Sequence, residues 1–169
     1  MSYVENNLVK DEKIVSKAEV NMVAIVPTVI EAILVVIVAF VIADMIWFDA
    51  LKGIAIAAAA IFVIAKFLKI KNTELAVTNK KIIGKTGLIN TKVMDSPINK
   101  INNISVEQGF GGKIFGYGKI VVSTSSGAYE FEYIKNADTF RHSVMNEIDR
   151  ADEERVQKQA QELANAMRQ

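Results

Sequence analysis

The sequence contains no cysteine and a single histidine, His142. The absence of thiols excludes disulfides, thiolate catalysis and cysteine metal sites. One imidazole cannot form a zinc site, which needs two or three further nitrogen or sulfur ligands, so we expect no metal site and no cofactor. The serines and threonine before Gly127 have no histidine close to them in the sequence that could act as their base. We therefore expect a protein without enzymatic activity.

A nucleotide-binding signature is absent as well. Five of the nine glycines lie between residues 109 and 118, but no Gly-Lys-Ser/Thr sequence follows them. A phosphate-binding loop would also need a strand before it and a helix after it, and neither pattern surrounds these glycines. We interpret them as tight turns that allow close backbone packing. We also predict no nucleic-acid partner.

Polar residues are nearly absent from two stretches, Met22 to Ile46 and Gly53 to Ala65. The first is longer than the ~20 residues that a helix needs to cross the hydrocarbon core, and it is apolar on every face. The second is shorter and rich in alanine, but Lys66 and Lys69 beyond it can reach the headgroups. We predict a transmembrane helical hairpin over residues 22–70. The alternative is a hairpin buried in a soluble core, which the rest of the chain is too polar to surround.

The lysines predict how this hairpin is oriented. Three lysines precede the first run and several follow the second, whereas only Lys52 lies in the linking loop. Because basic residues favour the cytoplasmic side, both termini are expected in the cytoplasm and the loop outside. Trp47 and Phe48 lie at the far end of the first run, where aromatic rings favour the membrane interface. The first run starts too late, and is too long, for a cleaved signal peptide.

Two features within the predicted spans suggest a role. Gly53, Ala57 and Ala60 on the second span would let another helix approach closely, so we predict them as an oligomer interface. Glu31 lies within the first span, where a carboxylate suggests a proton or ion path and makes a small transport or channel component one alternative. The other interpretation is structural, with Glu31 protonated or paired with a lysine near the interface.

From Glu74 onward the hydrophobic period changes to two, which is typical of strands. Short runs rich in β-branched and aromatic residues are separated by polar and glycine-containing turns, including Thr86-Gly87 and Ser126-Gly127. These runs predict an antiparallel meander of about six strands. Such a sheet can bury one face only if it bends over itself or a helix covers it.

A covering helix is predicted directly after the strands. Asn136 is the expected N-cap, and Phe140, Val144 and Ile148 recur at four-residue spacing, so one face would dock on the sheet. After Asp149 the sequence is rich in strong helix formers and carries a short apolar seam. This tail permits a coiled coil, an interfacial helix or a frayed, solvated end. The seam residues are Val156, Ala160, Leu163 and Met167.

Several motifs occur in a fixed order after the two spans. The stretch ELAVTNKKIIGKTGLI (residues 74–89) is followed by D-x-P-x-x-K-I-x-x-I-x-V from Asp95, by F-G-x-G-x-I-x-V from Phe115 and by F-x-x-I from Phe131. Over about residues 74–150 the chain therefore resembles the bacterial pleckstrin-homology-like (PH-like) domain family, in particular its membrane-anchored members. Lys81 stands where arginine is more usual.

The resemblance implies an α+β fold: a two-helix transmembrane hairpin, then a seven-stranded, strongly bent antiparallel sheet or barrel capped by a long C-terminal helix. It also implies a bacterial cytoplasmic (inner) membrane location and raises the expectation of ring-shaped homo-oligomers. PH-like domains bind lipids, peptides or other proteins. The expected divisions are a cytoplasmic N-terminal segment (1–21), the hairpin (22–70), the PH-like domain (71–150) and a helical extension (151–169).

The charge is unevenly distributed. The formal net charge is +1, but residues 66–135 carry eleven lysines against five carboxylates. A polybasic surface beside an anionic leaflet gains about 1 kcal/mol per lysine close to the surface. The alternative is a solvated positive surface without lipid contacts. The candidate lipid-contacting residues are Lys66, Lys69, Lys71, Lys80, Lys81 and Lys85.

These features predict a membrane-anchored, non-enzymatic module whose cytoplasmic domain binds a protein, a peptide or anionic lipid headgroups. The second hypothesis is a self-assembling membrane scaffold. In that case copies would join through their hairpins, PH-like domains and C-terminal helices in a cyclic homo-oligomer.

Overall fold

The computed structural model describes residues 2–46, 49–88 and 90–167. Trp47 and Phe48, predicted at the membrane interface, and Ile89 lie outside these residues. The helices are α1 (Tyr3–Asn6), α2 (Val26–Ile46), α3 (Ala50–Lys71), α4 (Phe110–Phe115) and α5 (Ala137–Ala166). The strands are β1 (Ile14–Lys17), β2 (Glu74–Thr78), β3 (Lys81–Thr86), β4 (Lys92–Pro97), β5 (Ile101–Glu107), β6 (Tyr117–Thr124) and β7 (Gly127–Lys135).

Helices α2 and α3 form the hairpin, and a 3₁₀ turn at Met22–Ile25 leads into α2. The spans Met22–Met45 and Ala50–Lys71 are long and apolar enough to cross a membrane. Only 6% and 11% of their most apolar windows are buried within the chain. The alternative of a hairpin inside a soluble core is therefore wrong, because its apolar surface is left uncovered by the described residues.

In the chain, the hairpin lies between two strands that are neighbours in one β-sheet. The first sheet has the order β1-β2-β3-β4, with every neighbouring pair antiparallel. β1 precedes the hairpin and β2 follows it, yet the two strands pair directly, with Ile14 opposite Thr78 and Lys17 opposite Ala76. The two ends of the hairpin are therefore connected to neighbouring strands of the same sheet.

A second antiparallel sheet has the order β5-β6-β7. The six strands predicted after Glu74 are confirmed, and β1 completes the seven that the resemblance implies. The alternative of a closed barrel is wrong for the described residues. The physical reason lies at the two places where the edges of the sheets meet. Pro97 has no N–H to donate and a 3₁₀ turn (Ile98–Lys100) separates β4 from β5, while on the other side a single bridge, Val20 to Ile134, joins the sheets.

The core lies between the two sheets and α5. Phe140 and Val144 are buried and Ile148 packs against the same cluster, so the predicted docking face is confirmed. Asn136 does occupy the N-cap position, but it adopts a left-handed conformation (φ 48°, ψ 47°) and its side chain makes no cap hydrogen bond. Its main-chain carbonyl instead accepts from the N–H groups of Thr139 and Phe140 (2.9 and 3.3 Å).

The N-terminal segment covers the outer face of the first sheet. Val4 packs with Ala76 and Ile83 in a second small buried cluster, and Tyr3 and Ile14 pack against it. Burial on both faces explains why β2 and β3 read as continuous apolar runs rather than as a strict alternation.

The glycine-rich stretch differs from the predicted tight turns, because residues 110–115 form the short helix α4. Gly116 ends this helix in the left-handed region (φ 70°), where glycine has no Cβ penalty. At Gly112 a Cβ would collide with the carbonyl oxygen of Tyr117. The expectation of close backbone packing is therefore correct at that position.

Gly84 gives a test of how tightly the core is packed. An added Cβ would lie 2.7 Å from Cε1 and Cζ of the buried Phe131 ring, so Gly84→Ala should lower the melting temperature of the detergent-solubilised protein by several degrees, corresponding to about 1–3 kcal/mol of overpacking. Gly109→Ala is the matched control, since its Cβ would meet nothing within 4 Å and its φ of −73° suits alanine. Equal melting temperatures for the two variants would contradict this packing.

Candidate functional site

One asparagine connects the hairpin to the sheets. The main-chain N–H of Asn21 donates to the carbonyl of Tyr133 (2.7 Å), and its side-chain amide donates to the carbonyl of Phe115 (2.8 Å). The side-chain oxygen of Asn21 accepts from the N–H of Val23 (2.9 Å) and so caps the turn that leads into α2. This set of contacts holds the chain in place where it leaves the sheets and enters α2. We call the region where Asn21 and the end of α3 contact β7 the junction.

The end of α3 contributes two predicted lysines to the junction. Nζ of Lys66 lies 5.3 Å from the ring centroid of Tyr133, and Nζ of Lys69 lies 2.6 Å from Oε2 of Glu132. The ion pair is half exposed, so it contributes only about 0–1 kcal/mol. Its geometric effect is larger, because it ties the last turns of α3 to the same strand that Asn21 contacts.

The contacted strand is irregular at this point. Glu132 and Tyr133 on β7 stand opposite the single residue Lys119 on β6, which forms a β-bulge. Tyr133 has a φ of 64°, a conformation that costs a non-glycine residue about 1–3 kcal/mol. Burial, and then the neighbouring carboxylate of Glu132, raise the pKa of Tyr133 to about 12, so the phenol is neutral at physiological pH. The hydrogen bond from Asn21 and the cation of Lys66 help to offset the strain.

The remaining predicted lysines do not form one surface. Lys71 is exposed at the end of α3, and Lys85 lies beside the start of β2, with Nζ 5.9 Å from the ring centroid of Tyr3. Lys80 and Lys81 lie at the opposite end of β2, about 13 Å away along the strand. The structure therefore brings Lys66, Lys69, Lys71 and Lys85 to the junction side of the sheet and separates the other two from them.

Lys80 and Lys81 hold the N-terminal segment. Nζ of Lys80 donates to the carbonyl of Lys10 (2.9 Å), and Nζ of Lys81 donates to the carbonyl of Asn7 (3.0 Å). Lys81 also lies 2.7 Å from a carboxylate oxygen of Asp95 and 3.8 Å from one of the buried Glu12. These ammonium groups are engaged within the protein, which weakens the case for lipid contact at this end.

The predicted interface residues on α3 are exposed. Gly53, Ala57 and Ala60 are all accessible, and Ala60 lines an open groove between α3 and α2, while Ala55 is buried. Glu31 is also exposed on the outer surface of the hairpin rather than between its two helices. Both features would therefore meet lipid or another helix.

The end of α5 extends beyond the sheets. Val156, Leu163 and Met167 are exposed, and so is Ala160, so the apolar seam has no partner among the described residues. Between this extension and the β2–β3 turn lies a groove of about 650 Å³, which we call the distal groove. Sequence reasoning missed it, because its walls come from three segments remote in the chain. Its lining includes Asn79, Lys80, Asn99, Asp152, Arg155 and Lys158.

A comparison with protein families agrees with this architecture. The model of the bacterial PH domain family matches residues 21–164, which is most of the chain. The protein belongs to the bacterial PH domain family. No curated protein matches the chain. Proteins with PH-like domains are generally non-catalytic binding modules. The β1 strand lies before the matched region, although it pairs with β2 inside the PH-like domain.

Glu74, at the start of β2, binds the N-terminal segment of this PH-like domain. Its Oε2 accepts from the hydroxyl of Ser2 (2.7 Å) and from the N–H of Val4 (3.3 Å). Burial raises the pKa of the Glu74 carboxyl, but hydrogen bonds from Ser2 and from the main chain of Tyr3 and Val4 together outweigh it, so the pKa lies below its ordinary value.

A pH titration tests this contact. A lowered folded-state pKa contributes stability that is present above the ordinary pKa of 4.5 and is lost as the pH falls through the folded value. The melting temperature of the native protein should therefore exceed that of Glu74→Gln at neutral pH, and the difference should shrink below pH 4.5. A difference that stays constant with pH would show that the charge of Glu74 does not hold the segment.

Proposed function

We propose that this protein is a multi-pass inner-membrane anchor for a non-enzymatic PH-like domain. The observation that supports this proposal most strongly is that β1, before the hairpin, pairs with β2, after it. Paired strands must lie on one side of the membrane, so the intervening residues cross it an even number of times. Two helices of spanning length supply these crossings. The lysine distribution favours the cytoplasm for the paired strands and for both termini.

The proposed task of the domain is to bind a protein segment in the distal groove. The groove lies at the end of β2 away from α3, so the junction does not obstruct it. Its walls carry both signs of charge, including Arg155 and Lys158 against Asp152 and Glu154, together with the amide side chain of Asn99. This mixture suits a polypeptide better than a purely anionic headgroup, which would meet the carboxylates.

Self-assembly is the second candidate function, and the exposed seam favours it. Val156 and Leu163 expose 59% and 65% of their surface on the helical extension. Gly53, Ala57 and Ala60 are exposed on α3, at the other end of the molecule. A ring of identical copies could cover both faces with one repeated contact.

Because the chain lacks cysteine, single introduced thiols test the membrane topology. Asp49→Cys, in the linking loop, should react with a membrane-impermeant maleimide in intact cells whose outer membrane has been opened. Gln157→Cys, on the exposed extension of α5, should react only after the inner membrane is permeabilised. Labelling of Gln157→Cys in intact cells, or of both sites only after permeabilisation, would contradict the proposed anchor.

Mass measurement in mild detergent tests the assembly. If the seam joins copies, the native protein should form a discrete oligomer that Val156→Glu combined with Leu163→Glu converts to smaller species, because buried like charges oppose packing. Gln161→Glu with Asn165→Glu is the matched control on the opposite face of the helix. A native protein that stays monomeric over a wide concentration range would rule out the assembly and leave the partner-binding function.

A further inference from the structure

The short helix α4 exposes large apolar side chains. Phe110 and Ile114 are 83% and 62% exposed, and their spacing of four residues places them on one face of the helix. Lys113 is exposed between them. Large apolar groups presented together on a soluble surface usually mark a binding face.

Several contacts hold the backbone of α4 in place, with these side chains exposed. The amide side chain of Gln108 donates to the carbonyls of Gly112 and Tyr117 (both 3.1 Å). The backbone packs so closely at Gly112 that no Cβ would fit there. The carbonyl of Phe115, the last residue of α4, accepts from the Asn21 amide at the junction.

The position of α4 identifies what covers it. The helix packs against the 3₁₀ turn Met22–Ile25, the first residues of the candidate membrane span. Met22 and Val23 on that turn are themselves apolar and exposed. The exposed face of α4 therefore continues the apolar surface of the hairpin at the level where α2 enters the membrane.

We propose that α4 is a membrane-dipping element of the PH-like domain. Phe110 and Ile114 insert into the boundary between headgroups and acyl chains, a depth of about 5–10 Å for interfacial helices. Lys113 lies at the level of the lipid phosphates, where an ammonium is favoured beside anionic lipids. Together with the hairpin, α4 gives the domain a third point of contact with the bilayer and sets its tilt. This inference rests on the proposed membrane anchoring.

Fluorescence quenching by brominated lipids tests the inference on the full chain. Trp47 is the single tryptophan, so Trp47→Phe gives a silent background. Phe110→Trp, Ser125→Trp and Val35→Trp are made in it and reconstituted into vesicles of phosphatidylcholine and phosphatidylglycerol. The acyl chains are brominated either near the headgroup or near the chain end. Ser125 is the control, because it is exposed at the β6–β7 turn, about 23 Å along β6 from Tyr117 at the junction end.

The expected result is a loss of Phe110→Trp emission with the shallow bromine label and an unchanged Ser125→Trp emission. Val35→Trp, within α2, should be quenched by the deep label. If Val35→Trp is quenched but Phe110→Trp behaves like Ser125→Trp, the inference is wrong and the proposed anchoring stands. If Val35→Trp is not quenched either, both are wrong.

A second probe guards against misfolding in the Trp47→Phe background. Ile114→Cys in the otherwise native chain is labelled with an environment-sensitive nitrobenzoxadiazole dye. Its emission should shift to the blue on reconstitution, whereas dye on Ser125→Cys should not shift. In a separate, unlabelled sample treated with a mild oxidant such as copper phenanthroline, disulfide-linked dimers of Ile114→Cys, combined with no blue shift of the dye-labelled protein, would assign the face to a second copy and overturn the lipid assignment.

Discussion

The pairing of β1 with β2 is the constraint on which the rest of the structure depends. Neighbouring strands lie about 4.8 Å apart and packed helices about 8–10 Å apart, so a hairpin of two contacting helices can emerge from adjacent strand ends with little adjustment. The small adjustment needed is made by the 3₁₀ turn after Asn21 and by the last turns of α3. A domain held at two adjacent points cannot swivel as it would on a single flexible linker.

Several polar side chains of the sheets and of α3 make contacts within the protein. Glu74 holds the first residues of the chain, Lys81 holds the loop before β1, and Lys69 ties α3 to β7. The strained Tyr133 follows Glu132, the partner of Lys69, and its carbonyl accepts from the main-chain N–H of Asn21. Among the described residues, the surfaces free for other molecules include the distal groove, the seam of α5, the face of α4 and the exposed small residues of α3.

Local pattern was enough to predict much of this architecture. The spacing of Phe140 and Val144 identified the docking face of α5, and the change of period after Glu74 identified six strands. The pairing of Ile14 with Thr78 was beyond such reasoning, because the partner lies on the far side of the hairpin. The charge of a lysine does not reveal whether it is paired within the protein. Lys81 forms ion pairs with Asp95 and Glu12, whereas Lys71 is exposed. The distal groove and the exposed side of α4 depend on how distant segments meet, which no short motif encodes.

The place of β1 in the chain also dictates an order of events during synthesis. β1 leaves the ribosome first, while its partner β2 appears only after both hydrophobic helices have been made. Until then β1 has no partner strand, and the side chains of Val4 and Ile14 are not yet buried against Ile83. Under the proposed membrane anchoring, insertion of only one helix would leave β1 and β2 on opposite sides of the bilayer, and the sheet could not form. Under that proposal, the domain is completed only when both helices of the hairpin have crossed the bilayer.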